Sequence, residues 1–313
     1  MPHPAPPHPS PLLQAVGLEK SLGGKKIVHG IDLSCSAGEV LGLLGPNGAG
    51  KTTTLRMCYG YLRADAGRVL IDGHDLAGKG DGDKARRLLG VCTQGDTFDA
   101  DFTVRGNLVQ TGRYYRPRQP DLDARIEHLL DRFGLREFAN QKPETLSGGY
   151  KRRLMIARSV VHNPRVVFLD EPTTGLDPQA RVAVWELVSS LRAEGMAVVL
   201  TTHYMDEAAR LSDRLQVLQG GRVRAGGSPA TVLGDVVGEH VVVLAAAGQE
   251  TAAPIDWLRG RGVKPSQVLG DWHAPLSAPT LAAFVAAFSS LRYEVRPPTL
   301  DDLFLALSEE EKA

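Results

Sequence analysis

The nonapeptide GPNGAGKTT, Gly45 to Thr53, constrains the fold more than any other stretch. It follows VLGLL, an apolar run that reads as a strand buried on both faces. Glycines at 45, 48 and 50 then allow the main chain to turn and approach a ligand closely. Residues from Thr53 onward continue as a helix. Strand, glycine turn and helix in that order fit a phosphate loop. The main chain of Gly45, Pro46, Asn47, Gly48, Ala49 and Gly50 is expected to wrap phosphates, and the helix N-terminus adds a positive dipole end. Lys51 can bridge β- and γ-phosphates, and the Thr52 hydroxyl can ligate Mg²⁺. The bland alternative is a plain strand–turn–helix connection; the context of strand and helix favours the phosphate loop.

Further apolar runs read as buried strands: LLGVCTQ ending at Gln94, VVFLD ending at Asp170, and MAVVLTT before His203. Helical patterns lie between them. In DLDARIEHLLDRFGL, Leu122, Ile126, Leu129, Leu130 and Phe133 recur at helical spacing. In DPQARVAVWELVSSLRAEG, Asp177 suits the N-cap, Pro178 the first helical position and Gly195 the C-terminal stop. Strands alternating with helices predict a mainly parallel sheet covered on both faces, with ligands at the carboxyl ends of its strands. Ahead of the loop, AVGLEK, KIVHGIDLSC and AGEV read as antiparallel strands, and LQVLQGGRVRAGG reads as an antiparallel pair.

After about Gly227 the character changes. EHVVVLAAA is a strand candidate. TLAAFVAAFSSL places Leu281, Phe284, Val285, Phe288 and Leu291 on one helical face. TLDDLFLALSEE opens on a capping-box pattern, Thr299 and Asp302, with Leu300, Leu303, Phe304 and Leu307 as its stripe. These segments predict a small α+β domain over 228–313 with its own core. Residues 1–11 are proline-rich and expected to be disordered, and His3 and His8 within them are read as inert.

The formal net charge of zero supplies no bulk reason to bind nucleic acid. The longest apolar run, VVVLAAAG, falls far short of the ~20 residues that span a bilayer. The N-terminus lacks the regions of a secretory signal. Cys35, Cys58 and Cys92 lie far apart without metal spacing and read as reduced thiols of a cytosolic protein.

Asp170 closes a strand, as expected of the second Mg²⁺-holding acid of a phosphate-loop enzyme. Its neighbour Glu171 can polarise a water for attack on the γ-phosphate. Gln94 and His203 also stand at strand ends. Gln94 could hold water or Mg²⁺, and His203 could donate to the γ-phosphate. Together with Lys51 and Glu171 they make four polar groups expected along one sheet edge.

A second glycine-rich turn, LSGGYKRR, begins at Leu146. With it, the phosphate loop, the strand-ending glutamine, LSGG, VVFLDEP, GLD and TTH stand in one order. That order resembles the nucleotide-binding subunits of ABC transporters over about Leu12 to Gly227. DFTVRGNL, LSGGYKRRL, DEPTTGLDP and PPTLDDLFLAL are most similar to exporter ATPases of the daunorubicin-resistance and nodulation-factor kinds. The resemblance implies an α/β P-loop NTPase fold of ABC type. It would hold an antiparallel β subdomain, a helical subdomain at about 95–164, an ATPase domain over 12–227 and the small C-terminal domain.

The resemblance also implies ATP and Mg²⁺ as ligands. Two copies, or a copy and a related ATPase subunit, would pair head to tail. Leu146, Ser147, Gly148, Gly149 and Tyr150 of one would then close over the phosphate loop of the other, with Asp177 communicating across the interface. A separate membrane permease would be driven from the inner, cytoplasmic face of the cell membrane, through the segment near DTFDADFTVRGNL. The alternative is a soluble ABC ATPase acting on nucleic acid or ribosomes. Ribosome-acting members carry two motif sets and chromosome-acting members a long inserted coiled coil; this chain has one set and no such insertion. An ordinary phosphate-loop kinase or GTPase leaves LSGGY and the histidine unexplained.

Two residues depart from the family's pattern. Leu22 falls where an aromatic residue usually stacks on adenine, so weaker base discrimination is expected. Tyr150 replaces the commonest glutamine and is expected to be tolerated. Lys151, Arg152 and Arg153 read as a solvated basic face.

Overall fold

Successive residues of VVFLD serve two different cores. In the computed structural model, Val166 and Phe168 pack with Leu41, Leu43 and Val199, whereas Val167 and Leu169 pack with Val198, Leu200 and Leu154. A strand alternates its side chains between faces, so burial on both requires an unbroken apolar run. The structure describes residues 11–115, 120–245 and 250–310. The tail expected to be disordered lies outside the described residues except for Pro11.

The chain opens with β1 (Leu13–Leu22) and β2 (Lys25–Cys35), paired antiparallel across Gly23 and Gly24. AGEV is a turn rather than a third strand: Gly38 takes φ +69° and Glu39 N donates to Ser36 O. The turn delivers the chain into β3 (Val40–Leu44), all of it buried, and then into α1 (Lys51–Cys58). Next come β4 (Ala66–Ile71), β5 (His74–Asp75), α2 (Asp81–Arg87) and β6 (Leu89–Cys92). Strand β6 is shorter than LLGVCTQ suggested, so Thr93 and Gln94 lie beyond its end. Among the described residues three α-helices follow, α3 (Val104–Tyr114), α4 (Leu122–Arg132) and α5 (Gly148–Val160), with two short 3-10 turns between the last two. The chain returns through β7 (Val166–Asp170), α6 (Pro178–Ala193), β8 (Ala197–Thr202), α7 (Met205–Leu211), β9 (Arg214–Gln219) and β10 (Arg222–Gly227).

These strands form two sheets. One has the order β2-β1-β4-β5 and is antiparallel; the other has the order β10-β9-β3-β8-β7-β6 and is parallel from β9 to β6. Helix α6 starts and stops as its sequence signals require. Asp177 Oδ1 accepts from Ala180 N at 2.9 Å, Pro178 occupies the first turn, and Gly195 takes φ +85° just past the last turn. The three cysteines are free and buried. Burial pushes the Cys58 thiol up to about 12 and raises those of Cys35 and Cys92 as well.

The chain divides into Met1–Arg224 and Ala225–Ala313, a division that falls inside β10. The second unit contains α8 (Pro229–Val236), β11 (His240–Leu244), α9 (Ala252–Arg259), β12 (Ser266–Val268) and β13 (Asp271–Leu276), followed by α10 (Ala278–Ala287), β14 (Tyr293–Arg296) and α11 (Leu300–Glu310). Its sheet has the order β12-β13-β11-β14 and is antiparallel. Phe284 is fully buried in its core, with Leu281, Phe288 and Leu291 packed around it. Val285 is exposed, so the apolar face of α10 is narrower than its sequence suggested, and Leu291 packs from beyond the helix end. At α11 the Asp302 carboxylate accepts from both Thr299 N and Thr299 Oγ1 at 2.8 Å. Arg296 donates to the same carboxylate through two nitrogens.

Candidate active site

The phosphate-loop segment joins the carboxyl end of β3 to the N-terminus of α1. At its start there is no room for a larger residue: a Cβ on Gly45 would run into the Leu218 carbonyl oxygen. Gly50 caps α1 in a left-handed conformation, φ +97°, with no side chain on the first-turn amides. Lys51 is 5% exposed and donates to Gly45 O at 2.7 Å and Pro46 O at 3.1 Å. Burial lowers its pKa, while Glu171 and Asp170 oppose that shift. Pro46, Asn47 and Gly48 are exposed at the loop tip, Ala49 is buried behind them, and Thr53 is half-buried in the first turn of α1.

The Thr52 hydroxyl lies beside Asp170, donating to Oδ1 at 3.2 Å. Asp170, last residue of β7, is 2% exposed and receives a second hydroxyl, Thr201 Oγ1, at 2.6 Å. A hydroxyl and a buried carboxylate side by side form the hard-oxygen pair that suits a divalent cation whose remaining ligands come from phosphate and water. The residues present therefore fit Mg²⁺.

Glu171 follows with φ +48°, a left-handed conformation that is rare outside glycine. Its amide donates to Thr201 Oγ1 at 2.9 Å, which holds the turn to β8. The turn aims the carboxylate at three neighbours, all on one oxygen. Gln94 Nε2 and Thr174 Oγ1 each donate to Oε2 at 3.1 Å, and His203 Nδ1 lies 3.5 Å from it without a hydrogen bond. Among the described residues, Oε1 has no such neighbour. An anchored oxygen and an open one suit a carboxylate that accepts a proton from water. The structure thus brings Gln94, Glu171 and His203 together beside Asp170, Thr52 and Lys51.

LSGGY forms the start of α5. Leu146 is buried, and Ser147 is the N-cap with a side chain that makes no capping bond. Ser147 and Gly148 are exposed. Gly149 is pressed against α6, where a Cβ would come within 2.9 Å of Ala180 Cβ. Tyr150 turns inward: its ring centroid lies 4.4 Å from that of Phe138, and the Arg153 guanidinium lies over the ring at 4.9 Å. The tyrosine is thus a packing residue of the helical core. Asp177 acts locally as the cap of α6. Leu22, at the tip of the β1–β2 hairpin opposite Lys25, is 44% exposed.

The solvated basic face expected at 151–153 is corrected at Arg152. This residue is 7% exposed and donates to Thr93 O at 2.9 Å and Gln94 O at 3.1 Å. The 3.6-residue period explains it, because Gly149, Arg152 and Ile156 share the buried face of α5. Sequence reasoning also passed over Thr201, Glu207 and Asn107. Glu207 is fully buried on α7 and accepts from Thr173 Oγ1 at 2.8 Å and Trp185 Nε1 at 3.2 Å; burial raises its pKa. Asn107 accepts from Asp99 N and donates to the carbonyls of Asp99, Phe102 and Thr103, organising the loop ahead of α3. A polar residue at a helical-core position was the available signal for Asn107.

A glycine cradle between strand and helix, with an acid at the end of a neighbouring parallel strand, defines a P-loop nucleoside triphosphatase. The family model described as ABC transporter matches residues 28–174. The Nod factor export ATP-binding protein I of Rhizobium johnstonii is 39% identical over 95% of this chain and 94% of its own length. The protein of the same name from Burkholderia lata is 42% identical, covering 93% of this chain and 95% of its own. Among solved structures, cbiO1 from Clostridium perfringens, part of an ABC transporter complex, superimposes with a TM-score of 0.65 at 27% identity, covering 72% of this chain and 92% of that one. An ATP-binding subunit of an ABC transporter superimposes equally well, with the same coverage. This chain belongs to the ATP-binding subunits of ABC transporters. It is an ATP-binding ATPase, of a family whose subunits work with a membrane permease. Among the described residues, no helix is long and apolar enough to cross a membrane.

Proposed function

We propose that the chain is the ATP-hydrolysing subunit of an exporter and drives a separate permease from the inner face of the cell membrane. The observation that carries the exporter reading is the 39–42% identity, over nearly the whole length, to relatives named for export. The main chain from Gly45 to Gly50 and the Lys51 ammonium hold the ATP phosphates. Leu22 offers apolar contact, not aromatic stacking, to the adenine. Thr52 and Asp170 hold Mg²⁺, with Gln94 reaching it through its side-chain oxygen. When bound, the cation neutralises charge on the phosphate oxygens. Glu171 Oε1 accepts the proton of the attacking water while Gln94 and Thr174 hold Oε2. His203 donates to the γ-phosphate.

Two copies, or one copy and a related subunit, pair head to tail. Each contributes Ser147 and the amides at the start of α5, with Leu146 and Tyr150 supporting them from inside the helical region. The bare N-cap supports this reading, since helix N-termini bind anions. Asp177 faces the interface from the cap of α6. ATP favours the closed pair because only that state presents both sets of donors. The loop organised by Asn107 meets the permease. Zero net charge argues against a nucleic-acid partner.

Purification of the tagged chain from membranes is expected to recover a multispanning protein, and ATPase activity should change when the pair is reconstituted in vesicles. Recovery with ribosomes or DNA instead, and no membrane protein, overturns the exporter reading in favour of a soluble ATPase.

A further inference from the structure

Arg152 is a buried cation whose hydrogen bonds to the main chain run to two carbonyls, those of Thr93 and Gln94. Enclosing a guanidinium is costly unless its donors are used. Here they are used just past the end of β6, where strand pairing has stopped and the next residues have no ladder to hold them. The side chain attached to this held segment is Gln94, whose amide reaches Glu171 Oε2. The helix that carries Arg152 is itself fixed to β6 further along, since a Cβ on Gly90 would run into the Ser159 carbonyl oxygen.

We propose that Arg152 is a positioning residue for catalysis. It fixes the main chain at Thr93 and Gln94 so that the Gln94 amide meets Glu171. It also ties this glutamine to α5, the helix that begins at Ser147. The guanidinium touches no reacting atom; it acts through Gln94. A planar fork suits two adjacent carbonyls, and a lysine ammonium reaches them only as a point donor. The proposal rests on the reading of Gln94 as part of the hydrolytic site.

The test uses the full chain and measures ATP affinity, steady-state kcat and melting temperature for Arg152→Met, Arg152→Lys, Gln94→Ala and the Arg152→Met/Gln94→Ala double variant. Methionine keeps the packed stem and removes both donors. Arg152→Met is expected to lower kcat on the order of tenfold to a hundredfold, the effect of a modest misplacement, with ATP affinity within about twofold of the parent. Arg152→Lys should recover part of that loss. The double variant should be no slower than the slower single variant, because both act through one amide. An unchanged kcat in Arg152→Met overturns the inference, as does a double variant whose losses multiply. Loss of affinity in step with melting temperature in both Arg152 variants reduces the residue to a structural tie and also overturns it. If Gln94→Ala alone keeps full kcat, the reading of Gln94 fails and this inference falls with it. If Gln94→Ala is slow and Arg152→Met is not, only the inference about Arg152 fails.

Discussion

The two glycine-rich turns of this chain differ in how completely they are satisfied from within. Around the phosphate loop, Lys51, Thr52, Asp170, Gln94, Glu171 and Thr174 bond to one another or to their own main chain. At the start of α5 the Ser147 hydroxyl makes no capping bond, and Ser147 and Gly148 face solvent. On the proposed reading the first turn is a preorganised reaction site; the second has firm support behind it and an exposed serine and glycine in front. Both open a helix, whose N-terminus suits an anion, but the first alone has a buried lysine together with carboxylates bonded into the same cluster.

That contrast is broken most severely at Glu171. Glu171→Gln should bind ATP, lose hydrolysis by on the order of a hundredfold to ten-thousandfold, and accumulate as an ATP-bound pair by size exclusion. Normal turnover would remove the carboxylate from the base role. Lys51→Ala removes a charge-assisted donor worth about 1.5–3 kcal/mol, so ATP affinity should fall by at least about tenfold in a nucleotide-binding titration. Unchanged affinity would move the phosphates away from this loop.

Acid should sharpen the contrast by weakening the chain just past the end of α5. His162, just past that helix, stacks on Tyr115, and its Nε2 lies 3.0 Å from Leu89 O. Burial lowers its pKa from 6.5 to about 4. Between those values the unfolded chain binds the extra proton and the folded chain does not, so stability present above pH 6.5 is lost as pH falls. The full effect is about 3 kcal/mol, and His162→Gln should flatten that part of the denaturation profile. The same slope in the variant would assign it elsewhere. The smallest effect separates two neighbouring glycines. Gly149→Ala must push Ala180 aside and should cost about 1–3 kcal/mol in thermal melting, whereas Gly148→Ala meets only Leu176 Cδ2 at 3.7 Å and should melt like the parent. Equal melting of the two would show that α5 and α6 can part freely.

The phosphate loop and Asp170 were legible in the sequence because glycine, lysine and apolar strand must stand in a fixed order along the chain. The doubly covered sheet was legible for the same reason, in runs such as VVFLD. Arg152 was not, since a basic run looks solvated until the helix phase beginning at Gly149 is known. Tyr150 posed a question in the sequence that the structure answers: its ring packs against Phe138 and under Arg153, contacts made by residues far apart or unremarkable in the sequence. Convergence on one oxygen of Glu171 was equally hidden, because Gln94, Thr174 and His203 meet only through the register of β6, β7 and β8.

The left-handed backbone at Glu171 has a consequence for evolution and engineering. Glycine would occupy that conformation with less strain, by about 1–2 kcal/mol, yet it would bring no carboxylate. Selection for thermal robustness and selection for turnover therefore pull this position in opposite directions. A library screened only for survival on heating should drift toward glycine at 171, yielding a sturdier protein that has given up its chemistry.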